Sequence, residues 1–133
     1  MLNTIPLLVI PFLIYNLVLA GFVVSGADPW SVEVMSISML AGAVWTMDFG
    51  ALLIVIALVL LFFEIVKATR TSNTSVLDHL LSTFVFIAYL VEFLLVSGAA
   101  TATFFLLMVI AFLDVVAGFT VTIRSAGRDV SYN

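Results

Sequence analysis

Long apolar stretches alternate with short polar ones along the chain. The cleanest covers residues 51–63, thirteen consecutive apolar positions, followed by Glu64, Lys67 and Arg70 at one end. About 20 predominantly apolar residues cross a bilayer core as a helix. Basic residues after such a run mark its cytoplasmic end. The pattern predicts four spans, at about 5–24, 50–67, 76–97 and 102–123, with an outer loop over 25–49. Pro6 falls in the first turn of span 1, where its missing N–H costs little. Pro11 lies further in and should bend the helix or loosen its start. Thr46 or Asp48 suits the N-cap of span 2, and Ser75 and Asp78 suit the first turn of span 3.

The loop 25–49 has its own pattern. Ala43, Trp45, Met47 and Phe49 alternate with less apolar positions, residues 31–39 are β-prone, and 40–43 can turn between the two. This predicts a short β-hairpin against the membrane surface. An amphipathic interfacial helix is the alternative. Val, Ile, Ser and Thr dominate and Gly42 would interrupt a helix, which favours the hairpin.

Composition agrees with a membrane environment. Of 133 residues, 65% are hydrophobic and 9% charged, with a mean hydropathy of +1.37, whereas a soluble domain is roughly half apolar and about a quarter charged. The length allows four spans and no separate soluble domain, so residues 1–133 read as one integral membrane domain. Ser25-Gly26-Ala27 is a small-x-small triplet, which suits cleavage of a signal peptide. However, no Lys or Arg precedes the first run, which is also longer than a usual signal core, so span 1 reads as retained.

Charge sets the orientation. All four basic residues lie in two places, Lys67 and Arg70 after span 2, Arg124 and Arg128 after span 4. The loop 25–49 holds Asp28, Glu33 and Asp48 but no Lys or Arg. The positive-inside rule then puts both termini in the cytoplasm and the hairpin outside. Trp30, Trp45 and Phe49 fall at the level of an outer aromatic belt. A net charge of −4 argues against nucleic-acid binding, which needs a basic patch. With no cysteine and one histidine, His79, thiolate metal sites and bis-histidine haem are excluded within one chain, and no cofactor or metal is expected.

Polar residues inside spans carry the remaining signal, because each is expensive unless satisfied. Glu64 and Lys67, at i,i+3, read as an ion pair at the cytoplasmic surface. Asp114 falls roughly 14 Å into span 4 at about 1.5 Å per residue. Asn16 comes to a similar depth, with Tyr15 and Tyr89 nearby. Glu92 sits in the outer half of span 3 with no cation on its side. Asp114 and Glu92 are either glue between helices or a proton or cation relay. Ala111, Ala117 and Gly118 share a face of span 4, and Ala20 and Gly21 continue the Asn16 stripe of span 1. Packing of those small-residue faces would bring Asn16 to Asp114. His79 reads as an interfacial polar residue. No GxSxG, HExxH, CxxC or phosphate loop is present, so no enzyme activity is expected.

Residues 61–70, LFFEIVKATR, and 114–121, DVVAGFTV, resemble segments of small four-span bacterial inner-membrane proteins with no assigned activity. The resemblance covers most of the chain and implies a bacterial plasma membrane, but no ligand or reaction. The layout, four spans with a β-prone first outer loop, is also similar to that of claudin-type proteins. The cysteine pair of that loop is absent, so only architecture is shared. The reading is an all-α four-helix membrane bundle with a short outward hairpin. Its expected role is structural or accessory, self-associating or joining a larger membrane complex. The alternative is a small channel or proton/cation-coupled transporter using the intramembrane carboxyls.

Overall fold

The computed structural model describes residues 5–22, 26–69 and 74–131. They form four helices, α1 (Val9–Leu19), α2 (Phe49–Ala68), α3 (Thr74–Leu95) and α4 (Ala102–Ser131). Between α1 and α2 stand two strands, β1 (Glu33–Ser38) and β2 (Val44–Asp48), and 3-10 turns occupy Pro29–Ser31 and Ser97–Ala99. Windows in α2, α3 and α4 are each long and apolar enough to cross a membrane, so the chain is a multi-pass membrane protein. Val24, Ser25 and Arg70 lie outside the described residues, as do the side chains of Ser75 and Arg128.

α4 is the central helix and packs along both α2 and α3. The buried positions of α2 are Gly50, Leu53, Ala57, Glu64 and Ala68, a stripe at helical spacing. Most other α2 side chains face outward, as expected where lipid is the solvent. One end of the bundle carries the hairpin and the Ser97–Ala99 turn. The other carries Lys67 and the start of α3.

The hairpin matches expectation, and the interfacial-helix alternative is excluded. β1 and β2 pair antiparallel, with Met35 opposite Met47, Ser36 opposite Thr46, Ile37 opposite Trp45 and Ser38 opposite Val44. Met39 and Gly42 close the turn through the Met39 N–H to Ala43 C=O and Gly42 N–H to Met39 C=O bonds. The sheet runs straight into α2. Asp48 leaves β2 in an extended conformation and its carboxylate accepts the Ala51 N–H at 2.8 Å, making it the N-cap.

Span 1 is shorter than expected. α1 has 11 residues, about 16 Å, roughly half the thickness of a bilayer core. Two local causes set its ends. Pro11 sits in the first turn of the helix rather than inside it, so the chain becomes helical only at Val9. At the other end Gly21 takes φ +87°. Its N–H bonds to the Val18 carbonyl, and the Phe22 N–H reaches back to the Leu17 carbonyl. That bond pair, around a residue with positive φ, is a Schellman stop. α4 departs in the opposite sense and continues about two turns beyond Ile123, to Ser131.

Candidate functional site

Residues 5–8 enter the bundle without helical structure. Backbone polar groups at membrane depth must be satisfied by the protein itself, and here three side chains do so. Glu64 Oε1 accepts the Leu7 N–H at 2.8 Å, Lys67 Nζ donates to the Ile5 carbonyl at 2.9 Å, and the Tyr89 hydroxyl donates to the Leu8 carbonyl at 2.9 Å. Glu64 also accepts from Lys67 at 3.0 Å. Glu64 and Tyr89 are each 1% exposed. The i,i+3 pair is present, but Glu64 is not at the surface. It grips a separate segment of backbone.

A polar cluster extends from that grip. Asp78 of α3 lies 3.5 Å from Lys67. Asp114 of α4 faces the Ser82 hydroxyl, with Glu64, Asp78 and Lys67 as its charged neighbours. Glu64, Asp78, Ser82 and Asp114 are all buried. His79 completes the α3 side. Its ring lies over Gly118, where an added Cβ would come 2.5 Å from Nδ1, and it stacks on Phe119. The small residue of α4 therefore makes room for a histidine.

The hairpin half is aromatic. Tyr15 stacks on Trp30 with centroids 4.1 Å apart and meets Phe104 edge-on at 4.8 Å, while Phe12 meets Tyr89 edge-on at 5.0 Å. The Tyr15 hydroxyl donates to the Gly98 carbonyl at 2.9 Å and lies 2.7 Å from Thr101 Oγ1. Thr101 Oγ1 in turn accepts the Phe104 N–H that opens α4. Tyr15 thus ties the end of α1 to the α3–α4 turn.

Several expected neighbours separate. Asn16 does not meet Asp114. Its amide bonds to the Phe12 carbonyl and lies against Glu92, because α1 ends at Leu19 and leaves Asn16 within its last turn. Glu92, half-buried in the last turn of α3, keeps one carboxylate oxygen without a hydrogen-bond partner among the described residues. Ala20 and Gly21 are exposed and end α1 rather than pack it. Ala111 is buried and Ala117 half-buried. Trp30 is core, 8% exposed, because its 3-10 turn folds it over Tyr15. Phe49 packs against Trp30 at 5.7 Å, and Trp45 remains exposed on the hairpin.

Ser82 carries no signal in the apolar pattern, and Asp78 reads there only as a helix-end charge. Asp78, Ser82, Val85 and Tyr89 follow helical spacing, so a stripe count on α3 would have found a polar face. Among the described residues no group of three or more His, Asp or Glu is placed to hold a metal ion. No family of known proteins, no curated protein and no solved structure matches the chain.

Proposed function

We propose that this is a four-crossing accessory protein of a bacterial inner membrane, which self-associates or joins a larger membrane complex through its hairpin. The observation that carries the reading is the hairpin's uncovered apolar face. Cross-strand partners share a face, so Met35, Ile37, Trp45 and Met47 lie together, with Met39 beside them. Met35, Ile37, Met39 and Trp45 are all exposed, and Leu40 at the tip is fully so. Such a patch, on a sheet that leads directly into α2, is what a docking surface needs.

The fourth crossing is supported by the ties of α1. Its start is bonded to Glu64 and Lys67 near one end of the bundle, and its finish to Gly98 at the other. Residues 5–19 thus reach most of the way between the ends. The Lys67 end is read as cytoplasmic from the positions of the basic residues.

The channel or carrier reading draws less support. Asp114 belongs to the Lys67 half, while Asn16 and Glu92 belong to the hairpin half. Between them lie the paired rings of Phe12 and Tyr89 and the buried Leu107, Ile110 and Ala111. A non-catalytic role is proposed on the same footing, since the hydrogen bonds of Glu64, Lys67, Tyr89 and Asn16 go to the chain's own backbone or to one another.

The test is the oligomeric state of the full chain in lipid nanodiscs and after crosslinking in native membranes. Ile37→Ser with Trp45→Ser should abolish assembly and leave helicity unchanged. A wild-type chain that is monomeric and uncrosslinked in both settings would refute the proposal.

A further inference from the structure

A narrow slot runs between the first half of α1 and the middle of α3. Val9 and Leu13 line it from α1, and Leu81, Phe84, Val85 and Ala88 line it from α3 at i, i+3, i+4 and i+7. Facing apolar stripes of this kind ordinarily interlock, ridge into groove. Here they stand apart around a cavity of about 310 Å³. Beside it the two helices do meet. Phe12, which also lines the slot, touches Tyr89 edge-on at 5.0 Å, and the Tyr89 hydroxyl holds the Leu8 carbonyl. That contact fixes α1 to α3 along one side of the slot. On its rim, Leu13 and Phe84 are each more than half exposed.

Every residue lining the slot is apolar. It offers no side-chain donor or acceptor to an ordered water, and an empty slot would leave its walls without dispersion partners. Shape and place decide the occupant. Leu81 to Ala88 rises about 10 Å along α3, so 310 Å³ over that length is a channel about 30 Å² in cross-section. A helix with its side chains is about 10–12 Å across, roughly 80–110 Å², and does not enter. A single hydrocarbon chain is thin enough. The slot begins about 10 Å along α3 from Thr74 and ends about 10 Å short of Leu95. In a helix long and apolar enough to cross a membrane, that is the depth of acyl chains rather than head groups. The slot also opens onto the outward apolar surface of α3, where Leu80, Ile87 and Val91 are exposed.

We propose that this slot binds one acyl chain of a membrane phospholipid, held between α1 and α3. The chain supplies packing that the 11-residue α1 lacks on its α3 side. It is therefore retained longer than the lipid around the rest of the bundle, which meets open helix faces such as that of Phe62 and Phe63 on α2.

The test is photolabelling of the full chain in bilayers of phosphatidylethanolamine and phosphatidylglycerol. A trace of phosphatidylethanolamine carries a diazirine midway along one acyl chain. Adducts located by mass spectrometry should be several-fold denser on residues 9–13 and 81–88 than around the comparably exposed Phe62 and Phe63. Ala88→Trp fills the slot and should remove that excess, whereas Phe62→Trp should keep it. If Ala88→Trp does not fold, Leu13→Trp blocks the slot from its rim instead. Equal labelling of both regions in the wild type overturns the proposal, because it marks only surrounding lipid. An excess that survives a folded slot-filling variant overturns it too. Replacing Phe84 by p-benzoylphenylalanine should capture lipid. A crosslink to a second copy of the chain in its place would make the slot a protein interface and sink the lipid assignment.

Discussion

Glu64 shows how a spacing that is legible in sequence can conceal its main partner. The i,i+3 relation to Lys67 is plain from residues 64–67, and the pair is there at 3.0 Å. What the spacing cannot reveal is that the same oxygen takes the Leu7 N–H, because that contact depends on where a distant segment is laid. Glu64→Gln keeps an acceptor for Leu7 and gives up charge. Glu64→Ala leaves both the N–H and the ammonium without it. Removing one partner of a buried pair costs about 3–5 kcal/mol, so Glu64→Ala should lower stability by that order and Glu64→Gln by clearly less. Equilibrium unfolding in bicelles checks the ranking. Equal losses would mean that Leu7 does not depend on Glu64. His79 and Gly118 make a second pair of this kind. A methyl at Gly118 would drive into the imidazole ring, and overpacking typically costs about 1–3 kcal/mol. Gly118→Ala should therefore destabilise the bundle, and His79→Ala should relieve part of that loss in the double variant. Additive losses would show that the two do not touch.

Among the elements, the hairpin and α2–α4 follow from pattern, and α1 does not. The alternation 43–49 and the turn before it were sufficient for the sheet, because a period of two is hard to satisfy any other way. Its register is testable in a chain without cysteine. Ser36→Cys with Thr46→Cys, directly paired, should oxidise readily. Ser36→Cys with Trp45→Cys should not, since those side chains leave opposite faces. A helix over the same residues would bring neither pair together. α1 defeated the pattern because an apolar run reports hydrophobicity and not where helix ends. Those ends were set by Pro11 and by the positive φ of Gly21. An L-residue with a side chain in that conformation costs roughly 1–2 kcal/mol. Gly21→Ala should therefore destabilise by about that amount even though nothing lies within 4 Å of an added Cβ.

At the scale of the whole molecule, sequence conveyed the solvent and the order of helices. It did not convey the division of the interior into an aromatic half and a carboxyl half. Depth counted along each span put Asn16 and Asp114 level, and that counting fails once one helix stops early. The same short helix puts the topology to a direct test. With 11 residues, α1 is too short to cross as a regular helix. Yet the chain from Ile5 to Gly98's neighbour Leu19 is bonded or packed at both ends of the bundle. If the segment crosses, the polypeptide enters and leaves on one side. In intact cells an impermeant thiol reagent should then label Leu40→Cys at the hairpin tip. Leu2→Cys and Ser131→Cys should be labelled only after permeabilisation. If the segment is instead re-entrant or interfacial on the hairpin side, Leu2→Cys reacts along with Leu40→Cys while Ser131→Cys stays protected. That outcome would leave Lys67 and Glu64 holding a backbone segment the chain does not deliver to them, and would overturn the arrangement of α1 altogether.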